Sequence, residues 1–248
     1  MSGIRAARFA ERYGPVALVT GAGVGIGAEF ARQLAARGLD LVLVARRAEK
    51  LEQVAGELRA AHGVAVRVAP LDLTAGDLPL RLRTAVEGLD IGLVVSNAGR
   101  YGFGRFLDAK LADELDGIDV NVRAPLVLAH EFARRLSARG RGGMIFLSST
   151  GAFQGTPFAA GYGAAKAHTL VLAEALAWEL SPFGVDLLAV CPGPVVRRAL
   201  DALGRRSLLV PGLSNALVAA LGKHLLPRSA NTRLMGAIFG RAFHLTRR

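Results

Sequence analysis

Six short β-rich runs, at residues 16–20, 39–45, 64–70, 91–96, 143–148 and 185–190, alternate with longer Ala-, Leu- and Arg-rich stretches of helical spacing at 25–37, 48–62, 77–87, 111–139 and 161–181. No other feature of the chain narrows its fold as far. The runs read as buried strands, and strands that alternate with helices in this way pair in parallel as βαβ units. Residues 207–210, stopped by Pro211-Gly212, read as a seventh strand. The expected fold class is α/β, a doubly wound parallel sheet of about seven strands with helices on both faces, its ligands lying outside the carboxyl ends of the strands. With 248 residues, 52% of them hydrophobic, one large core suffices. Residues 1–212 therefore read as one domain and residues 213–248 as an extension.

The first strand-to-helix joint is Thr20-Gly-Ala-Gly-Val-Gly-Ile-Gly27. Glycines there let the backbone approach a pyrophosphate held at a helix N-terminus, which makes Gly21, Gly23, Val24, Gly25, Ile26 and Gly27 candidate dinucleotide contacts. The spacing of Gly21, Gly25 and Gly27 is GxxxGxG rather than the commoner GxGxxG, and a glycine-rich turn without a ligand is the competing reading. The second strand ends Val44-Ala-Arg-Arg47, without the acid that would bond an adenosine 2′-hydroxyl and repel a 2′-phosphate. A guanidinium fork suits such a phosphate, so Arg46, with Arg47 beside it, points to NADP(H); a solvated arginine at a helix start is the alternative. Asp40 begins that strand, at the wrong end of the sheet for the ribose. Asp72-Leu73 and Asn97-Ala98-Gly99 follow the third and fourth strands, where a bound adenosine would lie, with local turn chemistry as the alternative for each.

Tyr162-Gly-Ala-Ala-Lys166 sets a phenol and an ammonium four residues apart on one helical face. A free tyrosine titrates near ~10, and a fixed cation favours the phenolate, so such a hydroxyl can protonate a substrate oxygen near neutral pH. The spacing alone is equally that of an exposed surface pair. Taken in order, the glycine turn, Asp72, Asn97-Ala98-Gly99, Asn121 and the group Ser149, Tyr162 and Lys166 resemble the short-chain dehydrogenase/reductase family from about Val16 to Pro194. The turn matches the family's TGxxxGxG, and Asn97-Ala98-Gly99 matches its NNAG with Ser96 replacing the first Asn. Ser149 and Tyr162 stand 13 residues apart, as the family pattern requires.

The resemblance implies a Rossmann-type enzyme that moves a hydride between NADP(H) and a small-molecule ketone or secondary alcohol, with an apolar or acyl-chain skeleton. It implies that Ser149 polarises the carbonyl, Tyr162 protonates it, Lys166 lowers the phenol pKa and bonds the nicotinamide ribose, and Asn121 holds a proton-relaying water. Ser148 is a rival for the serine role, but strand alternation turns it the other way. Cys191-Pro192-Gly193-Pro194-Val195 resembles the family's PG motif, which would bring Pro192, Gly193 and Val195 to the nicotinamide carboxamide. A homo-oligomer built on the helices carrying Asn121 and Tyr162 is also implied.

One cysteine, Cys191, excludes an intrachain disulfide and suggests a reducing compartment, the cytoplasm. Residues 1–14 hold no apolar signal region and no apolar run reaches spanning length, so neither secretion nor a transmembrane helix is expected. The histidines show no metal-ligand spacing, and no metal is expected. The net charge of +11 is uneven: eight of the 31 cations and none of the 20 acids follow Asp201. In that tail Leu234, Ile238, Ala242 and Leu245 form one helical stripe, read either as packing on the body or as a peripheral membrane or acyl-carrier contact. Nucleic acid is not expected, because no aromatic residues interleave with the charge.

Two departures from the family pattern carry consequences. Arg197 stands where family members commonly carry threonine. Only 17 residues separate Gly193 from Pro211, although relatives with a similar LVPG strand usually insert a long substrate loop there, and residues 196–203 read as the last helix itself. An open pocket, with weak selectivity or reduced turnover, is the expected result. A non-catalytic dinucleotide-binding or sensor protein is the competing class.

Overall fold

Every residue of β1 (Val16–Thr20) and β4 (Ile91–Ser96) is buried, as apolar runs with helices on both sides require. The computed structural model describes residues 3–191, 196–210 and 232, the side chains of residues 3–6 and 197 excepted. Pro192, Gly193 and Val195, the side chain of Arg197 and the apolar stripe of the basic tail therefore lie outside the described residues. In chain order the described part runs α1 (Gly3–Tyr13), β1, α2 (Gly25–Ala35), β2 (Asp40–Ala45), α3 (Ala48–His62), β3 (Val66–Pro70), α4 (Leu78–Ala85) and β4. It continues with α5 (Leu111–Ile118), α6 (Ala124–Arg139), β5 (Gly142–Leu147), α7 (Ala160–Leu180), β6 (Val185–Val190), α8 (Val196–Ala202) and β7 (Leu208–Leu209).

All neighbouring strands are parallel, in the order β3-β2-β1-β4-β5-β6-β7. Strand alternation divides the interior into two cores. Ala17, Val19, Leu43, Val95 and Ile145 face α2, α3 and α8, where Phe30, Leu34, Leu51 and Leu200 meet them. Leu18, Val44, Val94, Met144 and Phe146 face the other way, against Leu82, Leu128, Phe132 and Leu170 of α4, α6 and α7. α8 packs Val196, Ala199 and Leu200, with Leu203 just beyond it, into the first core, so the stretch after β6 supplies core as well as connection.

Two elements differ from the sequence expectation. Residues 3–13 form a helix, and its last turn is pinned under the sheet: Tyr13 donates to Asp186 at 2.6 Å and Arg12 pairs with the same carboxylate at 2.5 Å. The expected single helix over 111–139 is broken by a π-helical turn at Asp119–Arg123. Pro125 supplies the reason. It has no N–H to give the carbonyl of Asn121, four residues earlier, and its ring crowds that carbonyl, so the regular ladder fails there.

Candidate active site

The strand order reverses between β1 and β4, and the chains leaving their carboxyl ends part to opposite faces of the sheet, opening a crevice. A groove of about 570 Å³ occupies it. Of the residues singled out as dinucleotide contacts, Gly21, Gly23, Val24, Gly25 and Ile26 form one wall, Arg46 and Arg47 stand at the end of β2, and Asp72, Leu73, Asn97, Ala98 and Gly99 form the other side. Gly27 lies beneath the groove. A Cβ there would come within 2.2 Å of the Gly21 carbonyl oxygen and 2.5 Å of Asn97 Nδ2, so only glycine lets α2 approach β1 this closely. Gly21 takes a φ of +67°, in the left-handed region that favours glycine.

Asn97 holds this turn in place. Its Nδ2 donates to the Thr20 carbonyl at 2.9 Å, while the buried Thr20 hydroxyl accepts from Asn97 N at 3.0 Å and Ala98 N at 3.1 Å. The ends of β1 and β4 are thereby laced together directly under the groove. α2 begins at Gly25 behind Val24, which offers no side-chain cap, so no side chain of the N-cap satisfies the first-turn N–H groups; they and the helix dipole suit a phosphate. Arg46 and Arg47 are exposed, and neither guanidinium has a hydrogen bond or ion pair among the described residues. Asp72 Oδ1 accepts from Thr74 N and Thr74 Oγ1, both at 2.9 Å, and the Thr74 N–H holds its carboxyl below the usual carboxylate range. Turn chemistry and a place on the groove thus coincide in Asp72.

Beyond Gly99 the second group of singled-out residues converges. Tyr162 and Lys166 stand on the first turns of α7, and Ser149 caps the short 3-10 turn after β5, its Oγ accepting from Gly151 N at 3.1 Å. Ser149 stands beside Tyr162, and its hydroxyl favours the phenolate. Ser148 is differently occupied: its hydroxyl donates to the Lys166 carbonyl at 2.8 Å, fastening β5 to α7. Lys166 is buried, its ammonium donating to the Leu147 carbonyl at 2.8 Å and lying 5.8 Å from the Tyr162 ring centre.

Asn121 is also buried. Its Nδ2 donates to the Arg100 carbonyl at 2.7 Å and its Oδ1 accepts from Arg100 N at 3.2 Å. The carbonyl that Pro125 leaves without a helical partner accepts from Thr169 Oγ1 at 3.0 Å, so α7 takes over the bond that the helix lacks. A Cβ placed on Gly99 would lie 3.2 Å from Asn121 Oδ1 and 3.4 Å from Lys166 Nζ, which puts both groups at the groove's inner end.

The electrostatics differ from the expectation that Lys166 acidifies the phenol. Burial pushes Tyr162 up to about 12; the Ser149 hydroxyl acts the other way, and the neighbouring Tyr101 hydroxyl adds to the rise. Burial pushes Lys166 down to about 8. The lysine points its proton at Leu147, and desolvation governs both groups. Cys191, buried at the end of β6, is raised to about 11 by burial and stays a protonated thiol.

The match to the family model for short chain dehydrogenase spans residues 15–205, from just before β1 to just before β7. The chain belongs to the short-chain dehydrogenase family. A 7beta-hydroxysteroid dehydrogenase of Collinsella aerofaciens is 35% identical over 190 residues, covering 77% of this chain and 72% of the relative. A very-long-chain 3-oxoacyl-CoA reductase of Podospora anserina is 34% identical over 236 residues, 93% of this chain and 69% of the relative. Among solved structures, one concerned with 7beta-hydroxysteroid dehydrogenase stereoselectivity superposes with a TM-score of 0.87 at 30% identity, covering 92% of this chain and 99% of the other.

For a short-chain dehydrogenase, several groove and site residues escaped the sequence reading. Lys50, one helical turn beyond Arg47, adds a cation to the groove wall beside Arg46 and Arg47, and that i,i+3 spacing was the signal for it. Pro125 marked the break that presents Asn121. Tyr101, on the segment after β4, reaches the Tyr162 ring at 5.1 Å between centres, and nothing local in the sequence announces it.

Proposed function

We propose that this chain is an NADP(H)-dependent oxidoreductase that interconverts a ketone and a secondary alcohol on a bulky apolar skeleton. The observation that carries the proposal is the pairing of Ser149 and Tyr162, backed by a buried lysine, just beyond the inner end of a dinucleotide-sized groove. The groove fits such a cofactor: a glycine cradle, an uncapped helix start for the pyrophosphate, and Arg46, Arg47 and Lys50 available for a 2′-phosphate. Bound NADPH supplies the hydride in ketone reduction.

The protein's residues do the rest. Ser149 donates a hydrogen bond that polarises the carbonyl, and Tyr162 delivers the proton to the oxygen as alkoxide charge develops. A phenol raised to about 12 holds its proton at neutral pH, so Tyr162 is ready to give one and a poor base without a further cation nearby. Lys166, on the same helix face, keeps its position through Leu147, and Asn121 is fixed between Arg100 and Thr169 at the site's inner wall. Reduction places the hydride on carbon and the Tyr162 proton on oxygen, and solvent restores the phenol's proton. The names of the relatives, a hydroxysteroid dehydrogenase and a very-long-chain 3-oxoacyl-CoA reductase, share an oxygen function on a large apolar framework, which supports that substrate class.

A homo-oligomer is part of this reading. Leu111, Leu115 and Ile118 form an exposed stripe on α5, and Val171 and Trp178 an exposed pair on α7. The deciding experiment is NADPH oxidation with a panel of bulky ketones, using the wild type, Tyr162→Phe and Arg46→Ala. Turnover lost in Tyr162→Phe, with a several-fold weaker preference for NADP(H) over NAD(H) in Arg46→Ala, is expected. Tight dinucleotide binding without turnover of any ketone would instead mark a non-catalytic nucleotide-binding protein, and a wild-type preference for NAD(H) would remove the role given to Arg46.

A further inference from the structure

A second cavity of about 500 Å³ lies beside the groove, a volume in the range of small-molecule sites. Tyr162 is part of its wall, whereas the groove's lining does not include it. Arg100 and Tyr101 belong to both cavities, so Tyr101 stands at the passage between them. Its ring lies 5.1 Å from that of Tyr162 and nearly parallel to Phe103, at 6.4 Å and 8°. Phe103 in turn lies 6.2 Å from Tyr162. Both rings are well exposed, at 65% and 47%, although they carry large apolar area at the mouth of a cavity.

Both arginines of the cavity wall are paired with acids. Arg100 is paired with Asp113 and Asp116, and Arg105 with Asp108. The panel is also anchored: Gly104 N donates to the carbonyl of Phe158 at 2.8 Å, and Phe158 itself holds a φ of 65°, uncommon for a bulky side chain. The segment carrying Tyr101 and Phe103 is thereby tied to the residues just before α7, which carries Tyr162.

We propose that Tyr101 is a specificity-determining residue: with the parallel ring of Phe103 it forms an aromatic wall against which the rigid fused-ring skeleton of a ketone lies while its oxygen reaches Tyr162. The role rests on the function proposed above. A pair of parallel aromatic rings matches a rigid ring system, which has no rotors to freeze on binding, better than a flexible acyl chain. The Tyr101 ring lies against that of Tyr162, so what it offers a substrate is aromatic surface directly beside the proton donor.

Isothermal titration of the full chain saturated with NADP+, using a keto steroid and an acyclic ketone of equal carbon number, tests this on the wild type, Tyr101→Ala, Tyr101→Leu and Tyr101→Phe. The expected result is keto-steroid binding weakened about tenfold in Tyr101→Ala, with Tyr101→Leu between it and the wild type. The acyclic ketone should change by less than about twofold, and Tyr101→Phe, which keeps the ring, should bind the steroid within about twofold of the wild type. Equal losses for both ketones, no loss in Tyr101→Ala, or no steroid binding by the wild type would overturn the proposal. Ring binding that depends on Tyr101 without any turnover would refute the oxidoreductase reading alone.

Discussion

Lys166 is the residue whose chemistry can be read without a substrate. Its ordinary value is 10.5, and burial brings it to about 8. Below 8 both the folded and the unfolded chain carry the proton, and the fold bears the whole cost of the buried charge. Between 8 and 10.5 the unfolded chain binds more protons than the folded one, so stability rises with pH in that window. At ~1.4 kcal/mol per pKa unit, the wild type should gain roughly 3 kcal/mol relative to Lys166→Met across it. Taking the difference between the two chains largely removes the opposing contributions of Cys191 and Tyr162, which are raised to about 11 and about 12. Urea melts at the two ends of the window measure it, and a constant difference would mean that Lys166 is not held neutral by burial. The placing of Tyr162 and Lys166 on one helical face was legible in sequence because a four-residue spacing is a local property of a helix. The direction of the Tyr162 shift was not, since it depends on how much water the fold excludes and on Tyr101 arriving from another loop.

At the scale of elements, the break between α5 and α6 does the most for the site. Pro125 withholds a donor, the Asn121 carbonyl turns to Thr169, and the Asn121 side chain is left clamping both backbone groups of Arg100. Pro125→Ala restores an N–H that can compete with Thr169 for that carbonyl and regularise the turn. We expect kcat for ketone reduction to fall about tenfold or more, because small displacements of positioning groups are costly, while the thermal midpoint changes little. An unchanged kcat would show that the π-helical turn is not needed to place Asn121. The strands were read from sequence to within one or two residues because apolar runs bounded by Gly, Asp and Pro are unambiguous when fully buried. The uninterrupted helix over 111–139 was a misreading, since helical spacing continues through the break and only the proline discloses it. The helix at 3–13 was missed for a different reason: it packs through Phe9 and Tyr13, too few apolar positions to stand out from its charged neighbours.

At the scale of the whole molecule, Trp178 is 82% exposed on a helix whose other side lies in the second core, and Leu111 and Leu115 project from the adjacent α5. Trp178→Glu should leave the fold intact and lower the mass measured by light scattering to that of a single chain, whereas a wild type already monomeric would remove the oligomer from the proposal. The overall sheet order could be inferred from sequence because parallel βαβ units allow few alternatives. The second cavity could not, since its walls come from three separate segments that meet only in the fold. The pinning of α1 also bears on how the chain is made. Arg12 and Tyr13 close on an aspartate 174 and 173 residues further along, so on the ribosome this early helix waits for nearly the entire domain to emerge before its anchor exists. Until β6 is made, the Arg12 guanidinium and the Tyr13 hydroxyl lack the one carboxylate that holds them both in the fold.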